Sequence, residues 1–327
     1  MVVSVAPRPR DIVADLVADI VATTRRGTAV YSRSRFHAPW GIHVPGGQVA
    51  SVHVVTAGTC WLIPEDGDPM QLTRGDVVLV PSVAGHTLAD SPGSPVRSLT
   101  DLIGGPLGQM PQTDLVIDGP GPATGLLCGG YLLNPGPWHP LTAALPPVVH
   151  LAGGHQRVAG LSAAVDLLSD EVDRADPGTP AVIGSLVELL FVYALRAWLA
   201  EQSNAATGWV RALYDPVVGR ALTMIHHEPG RPWSVTSLAR AVGSPRATFS
   251  RRFTALTGQS PMAYVTLWRM TVASRLLRDE IRPLREVAHR VGYDSEFAFA
   301  RAFKRTVGQS PGRYRSALAR PSYSDRI

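Results

Sequence analysis

The sequence predicts an α+β multidomain chain with an N-terminal antiparallel β-barrel, a helical hairpin and a C-terminal all-α domain. Three observations predict this fold class. Short β-rich runs alternate with Gly/Pro/Asp turns from about residue 28 to 130. Apolar residues then recur at helical spacing up to residue 202. Near the C-terminus, two similar segments follow one another, and each ends in the tetrad Gly-Gln-Ser-Pro.

Residues 1–150 are predicted to contain the barrel. Residues 8–24 carry apolar side chains at helical spacing, which predicts a helix before the strands. Strands are predicted at Ser51–Thr56, Thr59–Ile63 and Asp76–Val80. Short strands separated by turns at this spacing are typical of an antiparallel sandwich or barrel.

Residues 151–207 predict a helical hairpin. One helix is predicted at His155–Arg174 and the other at residues 180–202, with a Pro/Gly turn between them. Their apolar stripes suit the core of the protein or a dimerisation face equally well. No signal peptide is evident and no apolar stretch reaches the roughly 18 residues of a membrane span, so we expect a cytoplasmic protein with no membrane partner.

Residues 208–320 are predicted to be all helical, with two helix-turn-helix motifs joined by a long helix. In each motif a glycine, Gly243 or Gly292, supplies the positive φ that the turn requires. Two phenylalanines four residues apart then mark the buried side of the second helix. These phenylalanines are Phe249 and Phe253 in the first motif, and Phe299 and Phe303 in the second.

The long helix predicted at Ser260–Asp279 separates the two motifs. About twenty residues of α-helix span roughly 30 Å, and one turn of B-DNA is about 34 Å. A rod of this length can place two helices in successive major grooves on one side of a duplex.

The distribution of charge also indicates a polyanionic partner. Residues 217–320 contain 18 basic and 6 acidic residues, a net charge of +12, whereas residues 1–216 contain 12 and 19, a net charge of −7. A basic domain joined to an acidic one is typical of nucleic-acid binding. All the basic residues except Lys304 are arginines, which suit bidentate contacts with phosphate and guanine, although a GC-rich genome also explains that bias.

Residues 215–318 resemble the DNA-binding domain of the AraC/XylS family of bacterial transcription regulators. The likeness is most specific from Val291 to Arg305 and in the segment Gly308-Gln-Ser-Pro-Gly-Arg-Tyr-Arg315. By position in the motif, the resemblance implies base contacts by Arg246, Ala247, Ser250, Arg251, Glu296, Phe297, Ala298, Ala300 and Arg301. Phosphate contacts are expected from Arg252, Arg269, Lys304, Arg305 and Arg313. Glu296 either accepts from cytosine N4 or stabilises the start of its helix.

The N-terminal domain resembles the cupin-like sensor domains of one AraC-type subgroup. Gly75-Asp-Val-Val-Leu-Val-Pro81, followed by Gly85-His86, is similar to the second half of the cupin signature. In the first half, the usual two histidines and a glutamate are reduced to His53. The resemblance implies a sensor, with a divalent metal as candidate cofactor and His53 and His86 as candidate ligands. A structural role for His53 in the core is the alternative.

Two further sensing chemistries fit the same domain. Cys60 and Cys128 lie in β-rich apolar sequence. One alternative is that a thiol of low pKa senses oxidants. The other is that both side chains are buried as small apolar groups. A small organic effector in the barrel mouth is the third alternative, with Trp40, Trp61 and Tyr31 as wall residues.

Together these patterns predict a non-enzymatic, sequence-specific transcription regulator, acting as activator or repressor. Its expected partners are a double-stranded DNA operator, RNA polymerase, a second copy of the chain and a small-molecule effector. Two alternatives stay open: a cupin-type metal-dependent enzyme with an accessory DNA-binding domain, and an architectural DNA binder without an effector. Turnover by metal-loaded protein would favour the first, and lack of one high-affinity operator would favour the second.

Overall fold

The computed structural model describes residues 25–47, 49–81, 85–105, 113–133, 145–153, 159–174, 176–202, 208–279 and 282–319. Within these ranges the chain divides into two compact units. The strand unit extends to Gln202 and contains the β-strands and the hairpin helices, and the helical unit begins at Gly208. The helix predicted at residues 8–24 lies outside the described residues.

The strand unit is built on two mixed sheets. Its strands are β1 (Arg25–His37), β2 (Gly41–Val44), β3 (Val49–Ala57), β4 (Thr59–Pro64), β5 (Met70–Thr73), β6 (Val77–Val80), β7 (His86–Ala89), β8 (Arg97–Ser98), β9 (Thr113–Ile117), β10 (Ala123–Leu133) and β11 (Val149–Leu151). One sheet has the order β11-β6-β3-β10-β1-β9 and the other the order β5-β4-β7-β2-β8. Among the described strands, β1 pairs with β9 and β2 with β8 in parallel, and the other pairs are antiparallel.

The two sheets share one apolar core. Its buried members are Phe36, Trp40, Ile42, Val55, Cys60, Leu62, Leu72, Val78, Val80, Leu88 and Leu126. Residues 50–55 of β3 are buried on both faces, because the core covers one face of this central strand and the hairpin covers the other. A strand covered on both faces has a continuous apolar run rather than a strict alternation.

The prediction of one antiparallel barrel is therefore wrong, because the described strands form two sheets that each contain a parallel pair. An apolar pattern indicates which face of a strand is buried, but it does not encode which strand lies beside it. The parallel pair β1–β9 joins residues as distant in sequence as Ser34 and Leu115, and no local signal specifies that contact.

The helical hairpin packs on the larger sheet. The strand unit has three described helices: α1 (Leu99–Ile103), α2 (Ala159–Arg174) and α3 (Thr179–Gln202). Helices α2 and α3 confirm the predicted hairpin over the described residues. Helix α3 approaches β10 so closely that a Cβ on Gly129 would lie 2.7 Å from Val187 Cγ1. Glycine at this position therefore lets the helix lie directly on the strand.

Helix α3 is also long and apolar enough to cross a membrane by length and composition, over Ala181–Gln202. The prediction that no apolar stretch reaches this length is therefore wrong. A core helix passes the same test, and 44% of this stretch is buried. Ile183, Val187 and Leu190 lie on the buried side.

The helical unit contains α4 (Gly208–Tyr214), α5 (Val218–His227), α6 (Val235–Ala241), α7 (Arg246–Thr257), α8 (Pro261–Asp279), α9 (Leu284–Arg290), α10 (Glu296–Val307) and α11 (Pro311–Ala319). The predicted long helix is confirmed as α8. Ser234 caps α6 by accepting a hydrogen bond from the backbone nitrogen of Ser237 at 3.0 Å. Ser295 caps α10 in the same way, with Ala298 as donor at 3.3 Å.

One arrangement occurs twice in the helical unit. We call α6 with α7 the first copy and α9 with α10 the second copy. In each copy a glycine follows the short helix with a positive φ, 69° at Gly243 and 80° at Gly292. A second glycine ends the longer helix, with φ of 74° at Gly258 and 86° at Gly308. These left-handed conformations favour glycine, which explains why both places are glycine in each copy, 15 residues apart in the first and 16 in the second.

Candidate functional site

Helix α7 of the first copy has a buried side and an exposed side. Phe249 and Phe253 are fully buried, and their ring centroids are 5.7 Å apart. Four residues predicted to contact DNA are exposed on this helix, namely Arg246, Ala247, Arg251 and Arg252, and Ser250 is half-buried beside them. The predicted buried side of α7 is therefore confirmed, and it leaves a basic, hydrogen-bonding surface on the opposite side.

Helix α10 of the second copy has the same frame. Phe299 and Phe303 are fully buried, and their centroids are also 5.7 Å apart. The exposed residues are Glu296, Phe297, Ala298, Arg301, Lys304 and Arg305, and Ala300 is half-buried. The two long helices thus place their predicted contact residues at equivalent positions.

The exposed chemistry of α7 and α10 nevertheless differs. Among the residues predicted to contact bases, only one residue type is the same in both helices, as Arg251 and Arg301. The other equivalent pairs are Arg246 and Glu296, Ala247 and Phe297, Thr248 and Ala298, and Ser250 and Ala300. Helix α7 therefore presents more hydrogen-bonding groups, and α10 presents more apolar surface.

Phe297 is the most exposed large apolar side chain among the described residues, with 72% of its surface accessible. It lies in the first turn of α10, directly after Ser295 and Glu296. The guanidinium carbon of Arg301, one turn further on, is 5.8 Å from the centroid of the Phe297 ring. This distance is within the range of a cation–π contact, so the ring and the arginine form one surface feature.

Arg252 makes an ion pair inside the helical unit. Its Nε and Nη2 atoms lie 2.7 and 2.6 Å from Asp215 Oδ2. The other oxygen of this buried carboxylate accepts hydrogen bonds from the backbone nitrogens of Val217 and Val218 at the start of α5. Asp215 therefore ties α7 to α5, and this contact favours a positioning role for Arg252 over the predicted phosphate contact.

Arg269 of α8 is also engaged inside the unit. Its guanidinium donates to the carbonyl oxygens of Pro229 and Arg231, each at 2.8 Å. The same group lies 5.6 Å from the centroid of Tyr293, next to the turn of the second copy. A Cβ on Gly292 would come within 2.6 Å of Arg269 Nη2. Arg269 therefore supports the second turn from within, which again favours positioning over the predicted phosphate contact.

The candidate metal ligands of the strand unit form a buried histidine pair. His53 Nε2 and His86 Nε2 are 2.8 Å apart, and each residue lies in a different sheet. Burial lowers the pKa of His53 well below its ordinary value, with a smaller effect of His86. Burial, assisted by His43, lowers the pKa of His86 to about 4. Both rings are therefore neutral at neutral pH, and one nitrogen donates to the other across the sandwich.

This pair does not fit a divalent metal site. Two imidazole nitrogens that share a tetrahedral metal lie about 3.3 Å apart, given metal–nitrogen distances of roughly 2.0–2.1 Å. The nitrogens here are separated by the 2.8 Å of a hydrogen bond. The described residues also contain no group of three or more His, Cys, Asp or Glu placed to hold a metal. The structure therefore favours the core role that the sequence left open for His53.

The two cysteines are poor candidates for reactive thiols. Cys60 is fully buried and Cys128 is half-buried, and both are free. Burial, with a smaller effect of the Asp76 carboxylate, raises the pKa of Cys60 to about 12. Burial, with a smaller effect of Cys60, also raises the pKa of Cys128 to about 12. Because a reactive cysteine needs a lowered pKa, both residues have the environment of inert core thiols.

Comparison with known proteins assigns both units. Residues 15–200 match the family described as "Cupin", and residues 238–317 match the family described as "Helix-turn-helix domain". A "Putative AraC-like transcription regulator" from Streptomyces antibioticus is 33% identical over 278 residues, which cover 84% of this chain and 90% of that protein. The chain belongs to the AraC-like transcription regulators. It is a DNA-binding transcription regulator with a cupin-like N-terminal domain.

Other relatives of this AraC-like regulator span nearly the same length. The "HTH-type transcriptional regulator AlkR" of Acinetobacter baylyi is 26% identical and covers 92% of this chain and 99% of its own. The "RCS-specific HTH-type transcriptional activator RclR" of Escherichia coli is 28% identical, with coverage of 85% and 89%. The crystal structure of the DNA-binding domain of AdpA with a target DNA is 34% identical over 33% of this chain and 98% of that chain, with a TM-score of 0.31.

Three groups of contacts in this AraC-like regulator were not predicted from the sequence. The pair Asp215–Arg252 and the bonds of Arg269 join residues far apart in the chain. The third is a buried cluster in which His226 stacks on Trp268 at 3.6 Å and its Nε2 lies 2.6 Å from the hydroxyl of Tyr264. No local pattern in the sequence indicates the arginine that the Asp215 carboxylate binds.

Proposed function

We propose that this regulator reads its operator with two helix-turn-helix motifs, formed by the first and second copies. In this proposal α7 and α10 enter successive major grooves, and α8 sets the distance between them. One observation carries the proposal: a buried phenylalanine pair and an exposed arginine recur at equivalent positions on both helices, and a glycine turn precedes each helix. Arg251 and Arg301 are the arginines, and both project from a surface on which the predicted contacts are exposed or half-buried.

The two motifs read DNA unequally in this proposal. Arg246, Ser250 and Arg251 of α7 form hydrogen bonds to base edges, for which an arginine on guanine is the strongest example. At equivalent positions α10 offers Glu296, Ala300 and Arg301. Ala247, Phe297 and Ala298 face the bases through apolar atoms only. Base discrimination is therefore concentrated under α7.

Phosphate contacts are assigned to the exposed cations that have no role inside the unit. Lys304 and Arg305 lie on the exposed side of α10 near its end. Arg252 and Arg269 instead hold α7 and the second turn in place through the internal contacts described above. A phosphate contact adds affinity for every sequence and makes binding depend on salt.

We propose that the protein forms a homodimer whose interface is the helical hairpin. We also propose that the dimer contacts RNA polymerase when it is bound to the operator. Leu167 of α2 and Val182 and Leu189 of α3 are exposed, by 56%, 43% and 38%. Val182 and Leu189 are seven residues apart and share a side of α3.

We retain a three-part organisation, with a sensor at 1–150, a dimerisation hairpin at 151–207 and a DNA-binding domain at 208–320.

The strand unit is proposed to sense a small organic molecule. A cavity between the larger sheet and the hairpin is lined by Tyr31, Val52, Cys128, Val187 and Leu190, among others. Its volume is about 10 Å³, room for about one water molecule and far below the roughly 300 Å³ of ordinary ligand pockets. An effector must therefore widen the gap between sheet and hairpin. An oxidant is the alternative signal that the two cysteines suggest, but the raised pKa of both thiols disfavours it.

Genome-wide footprinting of the purified protein tests the proposal. We expect protection of discrete operators, each covering two successive major grooves on one side of the duplex. Arg251→Ala should lose these footprints, whereas Arg97→Ala should keep them, because Arg97 is an exposed arginine of the strand unit outside the hairpin. Uniform low-affinity protection without discrete operators would support the architectural alternative instead.

A further inference from the structure

Phe297 is an exposed aromatic side chain on a surface that otherwise consists of small and charged groups. Its accessible fraction of 72% is well above that of the other exposed large apolar side chains, which lie between 38% and 56%. Leaving a phenylalanine in water forgoes the burial that favours such a side chain inside a fold. Phe249 and Phe299 already fill the buried sides of their helices, so the core has no need of this ring.

The major groove of DNA contains one apolar group that such a ring can cover. Thymine carries a C5-methyl group there, whereas the other groups on the base edges are mainly hydrogen-bond donors and acceptors. The first turn of a recognition helix is the part that approaches base edges. Phe297 lies in the first turn of α10, and its backbone is held there by the Ser295 cap.

We propose that Phe297 specifies a thymine through contact with its C5-methyl group. The inference rests on the proposed function, because it requires α10 to lie in a major groove. Arg301 strengthens it: the guanidinium is 5.8 Å from the ring centroid, so docking the ring also directs a cation toward the neighbouring base or phosphate. The first copy has Ala247 at the equivalent position and therefore lacks this device.

Replacement of thymine by deoxyuridine tests the proposal, because it removes the methyl group and keeps Watson–Crick pairing. Each thymine of a footprinted operator is replaced in turn, and the dissociation constants of wild-type protein, Phe297→Ala and Phe297→Leu are measured by fluorescence anisotropy. At one thymine under α10 we expect the wild-type affinity to fall about fourfold, the value of one buried methyl-sized group. Phe297→Ala should bind the thymine form and the deoxyuridine form of this operator with equal affinity. Phe297→Leu should keep part of the difference in affinity between the two forms. Replacements under α7 should affect wild type and Phe297→Ala alike.

Three results would overturn the proposal. The first is a wild-type protein insensitive to every replacement under α10, and the second is a Phe297→Ala variant that keeps the full methyl dependence. The third is a variant with normal operator binding but reduced transcription, which would make Phe297 a contact for RNA polymerase. Failure of the wild-type chain to form any operator complex would instead contradict the proposed function. Since alanine favours helix more than phenylalanine does at an exposed position, Phe297→Ala should fold normally, and its circular dichroism and melting temperature verify this.

Discussion

Helices α7 and α10 have the same inner side and different outer sides. Each buries two phenylalanines 5.7 Å apart, and each ends at a left-handed glycine. Among the residues predicted to contact bases, their outer sides share only Arg251 and Arg301. A repeated buried frame therefore fixes where side chains are presented, while the exposed residues are free to differ in what they recognise.

The two copies are also braced differently. Arg252 of α7 pairs with the buried carboxylate of Asp215, but the equivalent residue of α10 is Ala302, which is buried and carries no charge. The second copy is instead supported at its turn by Arg269 of α8. Equivalent helices of this protein are therefore held in place by different long-range contacts.

Both copies depend on a buried phenylalanine pair, and replacing one of these residues should cause the greatest loss of stability. Phe249→Ala and Phe299→Ala should each reduce the free energy of unfolding by about 3–5 kcal/mol, because each leaves a cavity in a packed interior. Urea denaturation followed by circular dichroism measures both losses. Exposed Phe297→Ala is the matched control and should change stability by less than about 0.5 kcal/mol. A loss below about 1 kcal/mol for either buried residue would show that its copy is not built on this frame.

The exposed residues of α7 and α10 differ, so replacing their arginines should change operator binding unequally. Arg251→Ala should reduce operator affinity by about 1–3 kcal/mol and relax base preference at one position, because a bidentate arginine–guanine contact is lost. Arg301→Ala should lose less discrimination. Electrophoretic mobility shifts with operator variants measure both, and Arg97→Ala controls for the loss of an exposed arginine. Unchanged affinity in Arg251→Ala would refute the assignment of α7.

A smaller effect concerns the brace of the first copy. Asp215→Asn should lower the free energy of unfolding by about 1–3 kcal/mol, since it removes the charge that binds Arg252 and weakens the bonds to the start of α5. Arg252→Ala should lose less, because its side chain is 46% exposed whereas that of Asp215 is 7% exposed. Thermal melts of both variants and the double variant measure the coupling. Additive losses would mean that the pair does not brace α7.

The salt dependence of operator affinity should distinguish residues that contact phosphates from residues that position a helix. Lys304→Ala should reduce the slope of log affinity against log salt concentration by about 1 and leave stability unchanged. Arg252→Ala should lower stability and leave that slope nearly unchanged. Titrations at several salt concentrations measure the slopes. Equal slope changes in the two variants would restore Arg252 to the phosphate contacts.

Local signals explain what the sequence could predict. Gly243, Gly292 and the paired phenylalanines each act through their own stretch of chain, so their spacing was enough to locate both copies and the buried sides of α7 and α10. The hairpin helices were located in the same way from apolar spacing. The function class came from these motifs together with the basic charge of residues 217–320.

The features that the sequence could not predict all depend on residues brought together by packing. The parallel pairing of β1 with β9 and the Asp215–Arg252 pair each join distant parts of the chain. For the cysteines and histidines, burial decides the pKa, and sequence does not report burial with that precision. Metal and redox chemistry therefore looked open from sequence and became disfavoured once the surroundings of His53 and Cys60 were known.

The most direct test of unequal reading is the affinity of the wild-type chain for every single-base variant of its operator. We expect substitutions in the half under α7 to cost about 1–3 kcal/mol each at the contacted bases, and the half under α10 to tolerate substitution apart from a modest thymine preference. Equal base preference in the two halves would contradict this expectation.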